Sequence, residues 1–228
     1  MSSSFVDLTA ADGCVLPAYV ATPSGAPKGA VLVLQEIFGV NSHIRSVADG
    51  YAAAGYLAVA PAMFQRVKPG VDIGYTPEDV QAGIALKAAA EAQGVTILMH
   101  DIQAALAYAA RAGKVGAVGY CWGGLLSWRA ASLVPGLSAA VTYYGGGMTG
   151  PTEVARQPLV PVLSHFGERD HGISLESVKA FGQAHPGVDL RLYPADHGFN
   201  CDQRGAFDAP SAALALERSL AFFDRHLA

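Results

Sequence analysis

The order of apolar and polar positions divides the chain into strands that alternate with helices. Two extended segments at residues 5–9 and 15–22 flank the turn ADG and predict an antiparallel hairpin at a sheet edge. The run GAVLVLQE at 29–36 is almost continuously apolar, which is typical of a strand buried on both faces of a parallel sheet. The chain therefore begins with a hairpin and enters a buried sheet.

The rest of the chain repeats this alternation. Asn41 predicts a helix cap, and TPED at 76–79 predicts another, with Thr76 as the cap and Pro77 at the first helical position. The predicted strands are 55–61, 114–120, 137–144, 159–166 and 188–193, and the predicted helices are 41–54, 76–93, 96–112, 122–132, 175–184 and 209–227.

Strands followed by helices predict an α/β protein with a mostly parallel, doubly wound sheet after an N-terminal antiparallel hairpin. A chain of 228 residues with no linker or repeat is expected to form a single domain over 1–228. Ligands of such sheets bind beyond the carboxyl ends of the strands. This rule selects five residues that follow predicted strands: Glu36, Cys121, Tyr144, Asp170 and His197.

Composition and charge indicate which classes of binding partner to expect. The formal charge is −4 and no Lys/Arg cluster occurs, so a nucleic-acid or membrane partner is not expected. The first ten residues, MSSSFVDLTA, have neither the basic nor the apolar region of a signal peptide, which predicts a cytoplasmic protein. A small molecule is the expected partner, and a monomer is slightly favoured.

Cys121 lies in GYCWG, a G-x-C-x-G pattern between a predicted strand and a predicted helix. In a nucleophile elbow the reactive residue occupies a strained turn, and a β-carbon at either flanking position would strike the neighbouring strand or helix. The helix N-terminus favours a thiolate and leaves the Trp122 amide free to bind an oxyanion. The alternative is a buried, inert cysteine.

The other cysteines suggest no disulfide framework or metal site. Cys14 and Cys201 form no CxxC pair with Cys121, so neither a structural zinc nor a cofactor is expected. Cys14 belongs to the hairpin and is expected to be inert. Cys201 is expected near the site because it follows His197 closely.

A reactive thiol needs a base and a group that orients it, and the chain order expected for an elbow is nucleophile, acid, histidine. Asp170 and His197 fit this order and follow strands. Asp196 is expected to point away from the neighbouring His197 ring. The competing acids are Glu168 and Asp196, and the competing bases are His165, expected in the core, and His171, expected to be exposed.

Glu36 and several aromatic residues complete the candidate site. Glu36 is either a solvated loop carboxylate or a carboxyl in the cleft that controls the protonation of Cys121. One ring of the pair Tyr143 and Tyr144 reaches the pocket or stays in the core. The residues proposed as apolar walls or substrate contacts are Phe38, Trp122, Tyr144 and Phe199.

The motifs QEIFGVN, VGYCWGG, YYG, FGERDHGI and ADHGFNC, in this order, closely resemble the dienelactone hydrolase family of α/β-hydrolases. The resemblance implies an α/β-hydrolase fold and hydrolysis of a lactone or ester by a Cys121, His197 and Asp170 triad. It also implies that Glu36 holds the resting thiol. The backbone amides of Ile37 and Trp122 match the family's oxyanion hole.

The family's arginines for the substrate carboxylate are not matched. No arginine lies between Arg66 and Arg111, and Cys201 stands four residues after His197. Lys68, Lys87 or Arg204 are the available substitutes, although a lysine offers a point charge where arginine offers a planar fork. The sequence therefore favours a lactone or small ester with a less demanding anionic group than dienelactone.

The functional hypothesis is a hydrolase that forms a cysteine acyl-enzyme without a metal or organic cofactor. The thioester intermediate favours activated enol or aryl esters over amides. Two alternatives stay open: a thioesterase or xenobiotic esterase on the same fold, and a non-catalytic redox sensor that uses a low-pKa thiol.

Overall fold

The computed structural model describes residues 1–227, which form one eight-stranded sheet in the order β1-β2-β4-β3-β5-β6-β7-β8. β1 pairs antiparallel with β2, and β2 pairs antiparallel with β4, whereas the other neighbours are parallel. The strands are β1 (Ser2–Thr9), β2 (Val15–Thr22), β3 (Ala30–Leu34), β4 (Leu57–Pro61), β5 (Val115–Tyr120), β6 (Leu137–Tyr143), β7 (Val162–Gly167) and β8 (Asp189–Tyr193). This architecture confirms the predicted α/β-hydrolase fold with its N-terminal hairpin.

Helices cover both faces of the sheet. Within residues 1–227, no helix has the length and apolar character needed to cross a bilayer. The helices are α1 (Ser42–Ala53), α2 (Pro77–Ala92), α3 (Val95–Ala109), α4 (Trp122–Leu133), α5 (Pro151–Val154), α6 (Leu175–Ala184) and α7 (Ala209–Leu227), and a 3₁₀ turn, Ala110–Ala112, follows α3.

The apolar run of β3 is explained by burial on both faces. Val31 and Val33 pack in one core cluster with residues of α1 and α7, whereas Leu32 and Leu34 pack in a second cluster with residues of α3 and α4. Successive side chains of a strand point to opposite faces, so every side chain of a strand covered on both sides is buried and apolar. This is why the alternation of a half-exposed strand is missing here.

The predicted caps are present. The Asn41 side chain accepts a hydrogen bond from the Ile44 amide at 3.2 Å. Thr76 accepts one from the Asp79 amide at 3.2 Å, and Asp79 Oδ2 accepts the Thr76 amide at 3.1 Å. These reciprocal bonds satisfy amides that the first turn of α2 leaves unpaired.

Some predicted boundaries were wrong. The strand predicted from 159 begins at Val162, because Pro161 has no N–H for the ladder and Leu159 is 75% exposed. The strand predicted to 36 ends at Leu34, which places Glu36 in the following turn. The hairpin begins at Ser2 rather than at residue 5, since the polar Ser2–Ser4 stretch pairs along an exposed edge, and the short helix α5 was not anticipated.

Candidate active site

Cys121 connects β5 to α4 in the left-handed conformation, with φ 54° and ψ −113°. This conformation is costly for a residue with a β-carbon and requires support from its surroundings. A β-carbon at Gly119 would lie 1.8 Å from the Gly123 carbonyl oxygen, and one at Gly123 would lie 2.1 Å from the Leu34 carbonyl oxygen. Both flanking glycines are therefore needed for a physical reason, as the sequence pattern predicted.

Main-chain hydrogen bonds hold the backbone of Cys121 in place. Its amide donates to the Tyr143 carbonyl at 3.0 Å, and its carbonyl accepts from the amides of Gly124 at 3.0 Å and Gly146 at 3.2 Å. The side chain is partly exposed. The thiol thus projects from a fixed backbone at the carboxyl end of the central strands.

Asp170 and His197 meet beside this thiol. His197 Nδ1 lies 2.8 Å from Asp170 Oδ2, and the His197 ring lies within electrostatic reach of the Cys121 side chain. Asp170 Oδ1 accepts the amides of Gly172 at 2.8 Å and Ile173 at 3.0 Å, which fixes the carboxylate. With Nδ1 bound to Asp170, the other ring nitrogen, Nε2, is left for the thiol.

The charges around His197 favour its protonated form. Burial lowers the pKa of His197, but the interaction of the ring with Cys121 and its hydrogen bond to Asp170 outweigh this effect and raise the pKa to about 10. The protonated ring can then stabilise a negative charge that forms on Cys121.

The competing acids and bases are placed elsewhere. Asp196 Oδ1 accepts the backbone amide of His197 at 2.6 Å rather than its ring. His165 is buried between the Tyr193 and Ser219 hydroxyls, and burial, aided by Arg218, lowers its pKa to about 3. The remaining two candidates, Glu168 and His171, are exposed, and the His171 side chain is 92% exposed.

Glu36 is buried, so the solvated-loop alternative was wrong. The residue is 1% exposed, and its Oε1 accepts a hydrogen bond from Arg204 Nη1 at 3.2 Å. Its Oε2 has no hydrogen-bond partner within residues 1–227. Arg204 is thus the cation that the fold brings to Glu36, out of the three that the sequence offered.

Arg204 reaches Glu36 by crossing the backbone of the loop that carries His197. A β-carbon at Gly198, whose φ is +84°, would lie 2.5 Å from Arg204 Nη1. The guanidinium carbon lies 5.8 Å from the Phe38 ring centroid, and the side chain is 23% exposed. Arg204 therefore carries a positive charge to the edge of the site.

Tyr144 lies at the centre of these groups. Its ring centroid is 5.0 Å from that of His197, its φ is 38°, and its hydroxyl has no partner within the described residues. Burial raises the pKa of Tyr144, and the negative charges of Glu36, Cys201 and Cys121 raise it further. Tyr144 is therefore a neutral hydroxyl within electrostatic reach of all three groups.

The other predicted aromatic walls are more deeply buried than expected. Phe199 has no exposed surface and packs on Tyr144 with ring centroids 5.3 Å apart. Phe38 is 2% exposed and packs edge-on against Tyr75 at 4.5 Å. These buried rings pack against other residues of the site. Direct contact with substrate stays a prediction for Phe38, Tyr144 and Phe199.

The backbone amides of Ile37 and Trp122 are the predicted oxyanion donors. Within residues 1–227, neither the Ile37 nor the Trp122 amide takes part in a turn, cap or side-chain hydrogen bond. The Trp122 ring stacks on Phe64 at 4.8 Å, and its Nε1 donates to Glu91 Oε1 at 2.7 Å. The large side chain thus anchors the residue whose amide stands at the first position of α4.

One supporting residue was missed. Gly83 lies within α2, and a β-carbon there would be 2.5 Å from the Ile37 carbonyl oxygen. The signal available in the sequence was a lone glycine inside a helical pattern, which often marks close packing.

Comparison with known proteins shows the family. The model of the dienelactone hydrolase family matches residues 16–227. This chain belongs to the dienelactone hydrolase family. A carboxymethylenebutenolidase of Pseudomonas putida is 32% identical over 97% of this chain and 96% of its own length. A Synechocystis protein named "Putative carboxymethylenebutenolidase" is 36% identical over 86% of each chain.

Solved structures of family members share the fold over the full length. The crystal structure named "Putative Dienelactone Hydrolase" from Klebsiella pneumoniae superposes with a TM-score of 0.85 at 30% identity, and it covers 99% of this chain and 100% of that one. The dienelactone hydrolase of Anabaena variabilis gives a TM-score of 0.69 at 21% identity, over 100% of this chain and 99% of that one.

Proposed function

We propose that this member of the dienelactone hydrolase family hydrolyses small lactones or activated esters through an acyl-enzyme on Cys121. The observation that carries the proposal is the 2.8 Å contact between Asp170 and His197, with the His197 ring within electrostatic reach of Cys121 at the turn between β5 and α4. A nucleophile, a base and an orienting acid in hydrogen-bond contact are the minimum set for acyl transfer.

In the first half of the reaction the Cys121 thiolate attacks the carbonyl carbon of the ester. The oxyanion that forms is bound by the amides of Ile37 and Trp122, which have no other assigned acceptor. The C–O bond to the leaving group then breaks, and the imidazolium of His197 donates its proton to the departing oxygen. An acylated Cys121 and a free alcohol or enol remain.

In the second half His197 takes a proton from water, and the resulting hydroxide attacks the thioester. The C–S bond breaks and the acid product leaves, which restores the thiolate and imidazolium. Asp170 keeps the ring of His197 in one orientation during both proton transfers. A thiolate leaves more readily than an alkoxide. With an unactivated ester, the tetrahedral adduct therefore expels Cys121 and returns to substrate, so enol and aryl esters are the favoured substrates.

Glu36 and Arg204 define a polar end of the site. Glu36 lies in the turn after β3, where the family's thiol-controlling glutamate lies, and its Oε2 has no partner within the described residues. Arg204 projects a partly exposed guanidinium next to it. We assign to Glu36 control of the thiol proton, and to Arg204 attraction of a carboxylate or other anionic group on the substrate.

Rapid mixing with p-nitrophenyl acetate tests the proposal. Wild type should release a burst of nitrophenol and gain one acetyl group by intact mass, whereas Cys121→Ala should do neither. Cys14→Ala, which changes a cysteine of the hairpin, is the matched control and should behave like wild type. Equal release by wild type and Cys121→Ala, without an adduct, would remove Cys121 as the nucleophile.

The same samples separate the alternative functions. A redox sensor would form a sulfenate on Cys121 after mild peroxide but no acyl adduct after ester. A thioesterase would turn over acyl thioesters faster than lactones in a substrate panel. We favour the lactone and ester assignment because a sensor has no need of the Asp170–His197 pair, which occupies the position of a general base.

A further inference from the structure

Three buried side chains with metal-binding atoms meet next to the proposed catalytic groups. Glu36 follows β3, His43 lies in the first turn of α1, and Cys201 lies in the loop after β8. One ligand atom of each lies within 4.8 Å of the other two. The residues are 1%, 3% and 0% exposed.

Two atoms of this cluster have no hydrogen-bond partner within residues 1–227: Glu36 Oε2 and His43 Nε2. A buried polar atom without a partner destabilises the folded state, and such atoms are rare in native proteins. In both residues the second polar atom is already bound, Glu36 Oε1 by Arg204 at 3.2 Å and His43 Nδ1 by Asp202 at 3.2 Å. Both unpaired atoms are therefore available to bind a ligand.

The donor set selects the class of that ligand. A thiolate, an imidazole and a carboxylate are ligands of zinc and similar transition metals, whereas magnesium and calcium prefer oxygen alone. The bond from His43 Nδ1 to Asp202 reproduces the carboxylate–histidine arrangement that commonly orients an imidazole toward a metal. With Nδ1 bound to Asp202, Nε2 is the nitrogen with a free lone pair.

We propose that Glu36, His43 and Cys201 bind one divalent transition-metal ion of the zinc class, with water in the fourth position. Cys201 binds as the thiolate and releases its proton to solvent. A cavity of about 330 Å³, lined in part by His43, Tyr120 and Asp202, adjoins the imidazole and offers a route from solvent.

Two features oppose binding of a cation: the charge of Arg204, and burial, which together with the charge of Glu36 raises the pKa of the Cys201 thiol to about 11. The Arg204 guanidinium binds the other oxygen of Glu36, and its side chain is 23% exposed, so part of its charge is screened by solvent. The cation gains two anionic ligands in exchange, Glu36 and the Cys201 thiolate. The site itself does not depend on the proposed hydrolase chemistry, although a bound ion would engage Glu36, to which we assign control of the Cys121 proton.

Titration with cobalt(II), followed by visible absorption, tests the proposal. Wild type under a non-thiol reductant should bind one equivalent, with a thiolate-to-cobalt charge-transfer band and the visible bands of a four-coordinate ion. Cys121→Ser and Cys14→Ser should keep these bands, whereas Cys201→Ser and His43→Gln should lose them. Circular dichroism of each variant checks that it is folded.

Asp202→Ala gives an independent test that leaves the core intact, because the Asp202 side chain is 62% exposed. Loss of a carboxylate that orients a metal-binding histidine typically weakens binding on the order of 10–100-fold, and the same loss of cobalt affinity is expected here. Absence of cobalt uptake by wild type would overturn the proposal. So would bands that persist in Cys201→Ser and vanish in Cys121→Ser, because the ion would then sit on the catalytic thiol.

Discussion

Gly83 of helix α2 packs directly on the backbone of Ile37. A β-carbon at residue 83 would lie only 2.5 Å from the Ile37 carbonyl oxygen. A helix that touches the sheet only through side chains could accept alanine here. This helix approaches the backbone of the loop that supplies one proposed oxyanion amide, so its position and that of the amide are coupled.

Gly83→Ala is expected to lower kcat/KM for p-nitrophenyl acetate on the order of 10–100-fold, because the displaced Ile37 backbone no longer aligns with the oxyanion. Gly50→Ala is the matched control, since Gly50 lies in helix α1 and has nothing within 4 Å of its added β-carbon. That control should keep full activity and gain about 0.5–1 kcal/mol in the free energy of unfolding. Equal activity of both variants would contradict the coupling.

Asp170→Asn should reduce kcat by about 10³–10⁴-fold with little effect on folding. An amide can hold the imidazole but favours the wrong tautomer, and it does not stabilise the imidazolium. Asp196→Asn is the control, because Asp196 contacts the backbone amide of His197 and not its ring. Steady-state kinetics of the two variants should differ widely. A small loss in Asp170→Asn would remove this residue from the proposed triad.

Arg204→Gln should lower kcat/KM for an aryl ester that carries a carboxylate by about tenfold or more, and should affect a neutral ester less. The reason is the loss of the partly exposed guanidinium beside Glu36. Arg225→Gln removes the same charge from the exposed last turn of α7 and serves as the control. An equal loss on both esters would show that Arg204 acts on Glu36 and not on the substrate.

The buried His165 is expected to make the free energy of unfolding depend on pH. Burial, with Arg218 and Arg191 adding to it, lowers the pKa of His165 from 6.5 to about 3. Between these pH values the unfolded chain binds a proton that the folded protein does not, so the free energy of unfolding falls as the pH falls. One such proton costs about 1.4 kcal/mol per pH unit.

Urea unfolding between pH 7 and pH 4 measures this effect as a difference between variants. His165→Gln should start less stable, because it loses hydrogen bonds to Tyr193 and Ser219, but its stability should fall less steeply with acid than that of wild type. His171→Gln, at an exposed histidine, should keep the wild-type slope. Parallel slopes for wild type and His165→Gln would contradict a neutral buried imidazole.

Much of this molecule could be predicted from local patterns. The elbow at Cys121 is encoded by two glycines whose hydrogens are the only substituents that fit, and the buried central strands follow from apolar runs covered on both faces. Asp170 and His197 could be placed because each follows a strand whose carboxyl end reaches the same sheet edge.

Contacts between distant loops could not be predicted in this way. Arg204 reaches Glu36 only because the backbone of the His197 loop leaves space at Gly198, and no spacing rule describes that path. The approach of His43 to Cys201 could not be predicted for the same reason. The start of α1 and the loop after β8 are far apart in sequence and come together only in the folded sheet. Sequence patterns describe elements well, but they carry little information about how irregular segments approach one another.

The main chain of Cys121 is held by hydrogen bonds with Tyr143, Gly124, Leu125 and Gly146. The backbone therefore fixes the direction in which the side chain at position 121 points, but it does not determine whether the reacting atom is sulfur. Serine or selenocysteine at this position would inherit the same orientation, so exchange of the nucleophile becomes a question of leaving-group chemistry and not of refolding. Such exchange gives protein engineering a way to retune the reaction by altering one atom.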